Sequence, residues 1–145
     1  MKTTRPASTE QITAFMDYIG FRSTLDADGT RIWELPVAPH VVNTSGGLQG
    51  GLIATLVDVA AGTVALQQRP SGSGVVTSDL HVRYFRAVTA GAAQARTRIV
   101  HSGRRSVVVE VEVVQPGCER PVALATVSFA TVEFDTGARS SASAE

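Results

Sequence analysis

NTSGGLQGGLIATLVDVAAGTVAL, residues 43–66, is the stretch whose reading decides the fold. Glycines crowd its entry at Gly46, Gly47, Gly50 and Gly51, no proline interrupts the apolar run after them, and it closes in Gln67, Gln68, Arg69 and Pro70. That punctuation predicts one long helix. Leu52, Leu56, Val59 and Thr63 form one stripe at helical spacing, and Ile53, Val57, Ala60 and Val64 form a second beside it. A helix apolar over most of its circumference is expected to be buried nearly all round. The remaining face, read from Asp58, is Gly51, Ala54, Thr55, Ala61, Gly62 and Ala65, all small, so another backbone or a ligand is expected to come close there.

Asp58 is the single charge on this helix, and no basic residue lies within two turns of it. An ionised carboxylate in apolar surroundings costs several kcal/mol unless it is paired or hydrogen-bonded. Asp58 is therefore the first candidate for chemistry, set against a plain structural Asp bonded to a neighbouring loop or strand. At the helix start, Gly50 and Gly51 leave first-turn N–H groups unobstructed at the positive end of the macrodipole, which suits a carbonyl oxygen gaining negative charge, or a phosphate. Glycines before a helix also serve the turn alone. Gly50 and Asp58 stand roughly 12 Å apart along the axis at 1.5 Å per residue. One small reacting group cannot touch both ends of one helix. If both act on one carbonyl, two antiparallel copies must lie side by side, and the site is shared in a dimer.

The chain of 145 residues is sized for one domain, with 43% hydrophobic and 18% charged residues, an ordinary soluble composition. Thirteen basic residues balance thirteen acidic ones, which excludes a global pull toward nucleic acid or membrane. The single Cys118 excludes an internal disulfide and makes no metal-ligand cluster with the scattered His40, His81 and His101, so a reducing cytoplasmic setting and no bound metal are expected. No signal peptide, transmembrane run or repeat is read.

Residues 1–7 read as a loose lead-in. Ser8-Thr9-Glu10-Gln11 reads as a capping box for a short helix carrying Ile12, Phe15, Met16 and Ile19 and ending at Gly20. Asp28-Gly29 between Thr24–Asp26 and Thr30–Val37 signals a hairpin. After the flexible RPSGSG connection at 69–74, Val75–Phe85, Gly91–His101, Arg104–Gln115 and Val122–Phe134 read as long β-branched strands. The joints at Arg86–Ala90, Ser102-Gly103 and Pro116-Gly117 read as meander hairpins, and residues 135–145 as a disordered polar tail. A helix apolar all round cannot show its back to water, so the sheet must curl about it. The expectation is an α+β fold with a curved antiparallel sheet around a central helix.

Asn43, Gln49-Gly50-Gly51 and Asp58 entering a helix, then V-x-Y-F-R at 82–86 and HSGRRSVVVEV at 101–111, resemble the hotdog-fold acyl-CoA thioesterases of the PaaI-like group over roughly residues 8–134. The resemblance implies hydrolysis of an acyl-CoA at a dimer interface, in agreement with the distance argument. By position it makes Asp58 the carboxylate that attacks the thioester carbonyl or activates water to do so. It makes the Gly50 N–H of the other subunit the oxyanion donor, Asn43 an orienting group for water or thioester, and Ser78, or Thr77 beside it, a hydroxyl near the reacting centre. Where the group usually has His, this chain has Gln49, which donates a hydrogen bond but cannot become cationic. Ala87 stands where Pro is common.

Arg104 and Arg105 in a tight turn at Gly103, with Arg83, Arg86 and His101 near in sequence, suit the phosphates of CoA, or form a solvated hairpin end. Phe15, Met16, Ile19, Trp33 and the small helix face would line an acyl pocket, and are equally good core. The expected protein is a cytoplasmic homo-oligomeric thioesterase, a dimer or tetramer, with no cofactor beyond the CoA of its substrate. Two rivals stand beside it: a non-hydrolytic acyl-CoA-binding sensor or accessory subunit, and a hydratase on the same fold, the weakest because no His lies on the helix or at its entry.

Overall fold

The computed structural model describes residues 7–118 and 120–134. The tail expectations at 135–145 and for residues 1–6 lie outside them. The long helix forms as its spacing predicts, and the elements run in the order α1 (Thr9–Ile19), β1 (Arg22–Leu25), β2 (Arg31–Pro36), α2 (Gly50–Gln67), β3 (Ser73–Tyr84), β4 (Ala92–Ser102), β5 (Ser106–Val114), β6 (Ala123–Glu133).

Local chemistry sets the early elements. Ser8 closes the capping box of α1: its hydroxyl accepts from the Gln11 N–H while the Gln11 side chain accepts from the Ser8 N–H. Gly20 ends the helix in the left-handed region at φ 95°, where a side chain would be strained. In the β1–β2 hairpin the Asp26 carboxylate accepts from the Asp28 and Thr30 N–H groups, which holds the turn at Asp28-Gly29.

The six strands make one antiparallel sheet ordered β1-β2-β4-β5-β6-β3. Alternation fills its concave face: Val107, Val109, Val111 and Val113 of β5 and Ala123, Ala125, Val127 and Phe129 of β6 are all buried, and α2 packs across them. Hairpins join β4 to β5 and β5 to β6 as expected. The joint at Arg86–Ala90 is not a hairpin. β3 lies at the far edge beside β6, and its connection to β4 crosses the end of the sheet, burying Val88 fully. Three strand spacings are roughly 14 Å, and seven extended residues reach about 23 Å. A short loop therefore serves the crossover as easily as a hairpin, and its length could not tell them apart.

A second expectation is corrected. The helix α2 is not buried all round: Ile53, Leu56, Val57, Ala60, Ala61, Val64 and Ala65 face the sheet and are buried, while Leu52, Ala54, Thr55, Asp58, Val59, Gly62 and Thr63 are half-buried and Leu66 is exposed. The sheet curls under the helix without closing over it. By length and composition this helix could cross a membrane, but here it packs against β2 through β6. Leu56, wholly buried at the centre of this packing, anchors it. Leu56→Ala is expected to cost about 2–5 kcal/mol in urea unfolding, from lost transfer energy and the cavity left behind.

Candidate active site

The loop before α2 is tied by its own side chains. The Asn43 carbonyl Oδ1 accepts from the N–H groups of Ser45 at 2.9 Å and Gly47 at 3.2 Å, and the Asn43 N–H donates to the Gly47 carbonyl. The Val42–Leu48 bridge and the Gln49 N–H on the Val41 carbonyl complete a knot over buried Val41 and Leu48. Its product is a presented helix start. Gln49 is the N-cap without a side-chain cap bond, and its Nε2 leans 3.4 Å from the Val42 carbonyl. The Gln49 carbonyl takes the N–H of Leu52 and Ile53. The Gly50 and Gly51 N–H groups have no acceptor among the described residues, and both glycines are exposed.

Asp58 sits eight residues on, half-buried, where the helix turns toward the edge strand β3. Its Oδ1 accepts the Thr77 hydroxyl at 2.8 Å. Of the two hydroxyls expected here, Thr77 is therefore the one that reaches the carboxylate. A register shift between Thr77 and Asp79 breaks the alternation of β3 and turns Ser78 away, its hydroxyl donating to the Ser128 carbonyl at 3.0 Å. Among the described residues no arginine or lysine pairs with Asp58, and the ion pair found there is Arg98–Glu110 on the convex face. No group of His, Cys, Asp and Glu among those residues is arranged to hold a metal.

Two residues that sequence reasoning passed over belong to this neighbourhood. Tyr84, on β3, lays its ring against Gly50 and donates its hydroxyl to the Gly50 carbonyl at 2.5 Å. Its strand motif was visible, but nothing local links it to a glycine 34 residues earlier. Arg69, just past the end of α2, looked like helix punctuation. Its guanidinium instead donates to the Gly103 and Arg104 carbonyls, the Thr131 hydroxyl and the Ser102 hydroxyl, pinning the β4–β5 turn to the helix end.

That turn carries Arg104 and Arg105, both exposed beside a cleft of about 600 Å³ lined in part by Arg69, Gly103, Arg104 and Glu133. His101 lies under Gly103, where a Cβ would stand 2.7 Å from its Nε2. The other two arginines are elsewhere. Arg83 is opposite Leu124 whereas the Thr131 N–H bonds Arg105, so the two sites are seven β6 residues, roughly 23 Å, apart at ~3.3 Å per residue. Arg86 spends its guanidinium on the Arg120 and Pro121 carbonyls. Within one chain the four arginines form no single cluster.

A further cleft of about 480 Å³ opens between α1 and the helix flank, walled by Ile12, Met16, Phe21, Trp33 and Val59. Trp33 is held there by its N–H on the Thr63 hydroxyl at 3.1 Å. Phe15, expected in this wall, points outward and is half exposed.

The curved sheet, the helix across its concave face and the glycine-started helix with a single carboxylate define a hotdog-fold thioesterase. Residues 46–122 match the thioesterase superfamily, and the chain belongs to it, with a thioesterase-type function. A Bacillus halodurans protein crystallised with CoA is 33% identical over 82% of this chain and 78% of its own, with a TM-score of 0.77. A conserved protein of Pseudomonas aeruginosa is 33% identical over 88% of this chain and 100% of its own, with a TM-score of 0.74. A Haemophilus influenzae thioesterase shares the fold at 15% identity, covering 92% of this chain and 96% of its own, with a TM-score of 0.78. No curated protein matches the chain.

Arg69 is the joint between helix end and arginine turn. Arg69→Met is expected to lower stability by about 2–4 kcal/mol, since charge-assisted hydrogen bonds to several carbonyl and hydroxyl oxygens vanish together, read as a shift in the urea midpoint at constant slope.

Proposed function

We propose that the chain is a cytoplasmic acyl-CoA thioesterase that hydrolyses its substrate at a site shared between two subunits. The carrying observation is the separation of Asp58, bonded to Thr77, from the unpaired Gly50 and Gly51 N–H groups at the other end of the same helix segment. Similarity to a protein crystallised with CoA supports the carrier.

In this reading the Asp58 carboxylate, oriented by the Thr77 hydroxyl, attacks the thioester carbonyl or takes a proton from a water that does. The oxygen that becomes negative is held by the N–H groups at the partner's Gly50 and the partner's Gly51. Where water attacks, collapse breaks the C–S bond, the proton that Asp58 took from the water passes to the CoA thiolate, and the acid is released. Where Asp58 attacks, collapse expels CoA and leaves an acyl–Asp58 anhydride, which a water then cleaves, giving the acid, the regenerated carboxylate and the proton that makes CoA a thiol. Gln49 offers an uncharged donor beside the oxyanion, and the Asn43 amide N–H₂, its carbonyl already spent on the loop, is free to orient the thioester. The cleft at Trp33 and Val59 takes the acyl group, and the turn of Arg104 and Arg105 takes CoA phosphate. No separate cofactor is required.

Support for a shared site comes from β3, an edge strand whose outer N–H and C=O groups face no other strand among the described residues. Pairing two copies antiparallel about His81 sets Leu80 against the partner's Val82 and Asp79 against the partner's Arg83, each twice by symmetry. The bulge at Ser78 then brings Thr77 opposite the partner's Tyr84, and with it the partner's Gly50. One register thus joins apolar to apolar, anion to cation, and carboxylate to helix start.

Thiol release from short-chain, long-chain and aryl acyl-CoAs is expected for the wild-type protein, and Asp58→Asn is expected to lose about 10²–10⁴-fold while keeping its circular dichroism and mass. Hydrolysis retained by a folded Asp58→Asn protein overturns the mechanism; binding without thiol release by wild type makes this a ligand-holding protein instead. The pairing is tested separately. Asp79→Arg and Arg83→Asp are each expected to shift the protein toward monomer in analytical ultracentrifugation, and the double exchange to restore the dimer.

A further inference from the structure

The start of α2 sets a problem that its own sequence does not solve. Two successive glycines carry the greatest backbone freedom, Gln49 provides no side-chain cap, and first turns fray. Donors that stabilise a developing charge must already be in place when it develops. Tyr84 supplies the missing constraint from another element. Its ring lies within 3.5 Å of where a Gly50 Cβ would stand, and its hydroxyl reaches the Gly50 carbonyl at 2.5 Å. That carbonyl belongs to the same peptide unit as the Gly51 N–H. A hydrogen bond to the oxygen draws electron density from the nitrogen and makes the N–H a stronger donor.

The strand holding Tyr84 is itself fixed. Tyr84 pairs with Ala123 of β6, and the N–H groups of the next two residues, Phe85 and Arg86, both reach the Val122 carbonyl. Burial raises the Tyr84 hydroxyl above its usual pKa of about 10, so at neutral pH it remains a donor.

We propose that Tyr84 is the positioning residue of the oxyanion site: its hydroxyl locks and polarises the Gly50–Gly51 peptide so that the Gly51 N–H acts beside the Gly50 N–H. The proposal rests on the thioesterase reading above. Tyr84 touches neither thioester nor water and acts through one peptide group. In the β3 pairing it stands next to the partner's Thr77, so the strand that joins the subunits also presets the donors each lends the other.

Tyr84→Phe keeps the ring and removes the hydroxyl. With an acyl-CoA that the wild type hydrolyses, kcat is expected to fall about 10-fold, less than for outright loss of an oxyanion donor, with KM within about twofold. Dimer mass and melting temperature stay as in the wild type. In ¹⁵N spectra of the unliganded protein the Gly51 amide proton is expected to move upfield and exchange faster in Tyr84→Phe. A Tyr84→Phe protein with wild-type kcat, or one whose melting temperature falls while kcat holds, overturns the proposal, as does an unmoved Gly51 amide. If wild type hydrolyses and Asp58→Asn does not, such a result removes only the role of Tyr84. If wild type releases no thiol from any acyl-CoA, the thioesterase reading falls and the role of Tyr84 with it.

Discussion

Everything in this molecule depends on how one side of α2 meets the concave face of the sheet. Four fully buried valines on β5 and the inward Ala123, Ala125, Val127 and Phe129 of β6 make a trough, and Ile53, Leu56, Val57, Ala60 and Val64 fill it. The burial of those side chains, each contributing about 1.5–3 kcal/mol, leaves the helix no rotational freedom. Its rotation then decides the rest. With Leu56 down, Asp58 must lean toward β3, Val59 and Thr63 toward β2 and Trp33, Gly62 toward Phe129 of β6, and Gly51 and Thr55 upward. The carboxylate is thus placed by hydrophobic packing a turn away from it.

Because the sheet does not close over the helix, Asp58 escapes the heavy desolvation that a fully wrapped helix would impose. A half-buried carboxylate with one hydroxyl donor remains reachable. The same openness leaves Leu66, Leu80, Tyr84 and Phe85 partly in water. These are the residues of the helix flank and the free strand edge, a surface that a second copy of the chain would cover.

Much of this was legible from the order of residues alone. The capping box at Ser8, the Asp28-Gly29 hairpin, the long helix and the β-branched strands are governed by contacts a few residues apart, and each formed where local rules put it. Asp58 stood out because a lone charge on an apolar helix needs an explanation. The failures were all non-local. The place of β3 beside β6 depends on a loop whose length fits two routes, and the open back of α2 on how far the sheet curls. The partnership of Tyr84 with Gly50, and the grip of Arg69 on the β4–β5 turn, join residues 34 apart in sequence. A sequence displays the residues at such contacts without displaying the contact.

The strand order also governs how the chain can assemble as it is made. β3 emerges directly after α2, yet its sheet neighbour is β6, so 11 register pairs wait for the last strand. Until Ala123–Glu133 is available, the apolar helix and the first completed hairpins have a sheet with a gap at its edge. Such non-local closure slows folding and prolongs exposure of sticky surface. The chain therefore gains its cooperative core late, and Thr77 is fixed beside Asp58 in the same event that completes the sheet.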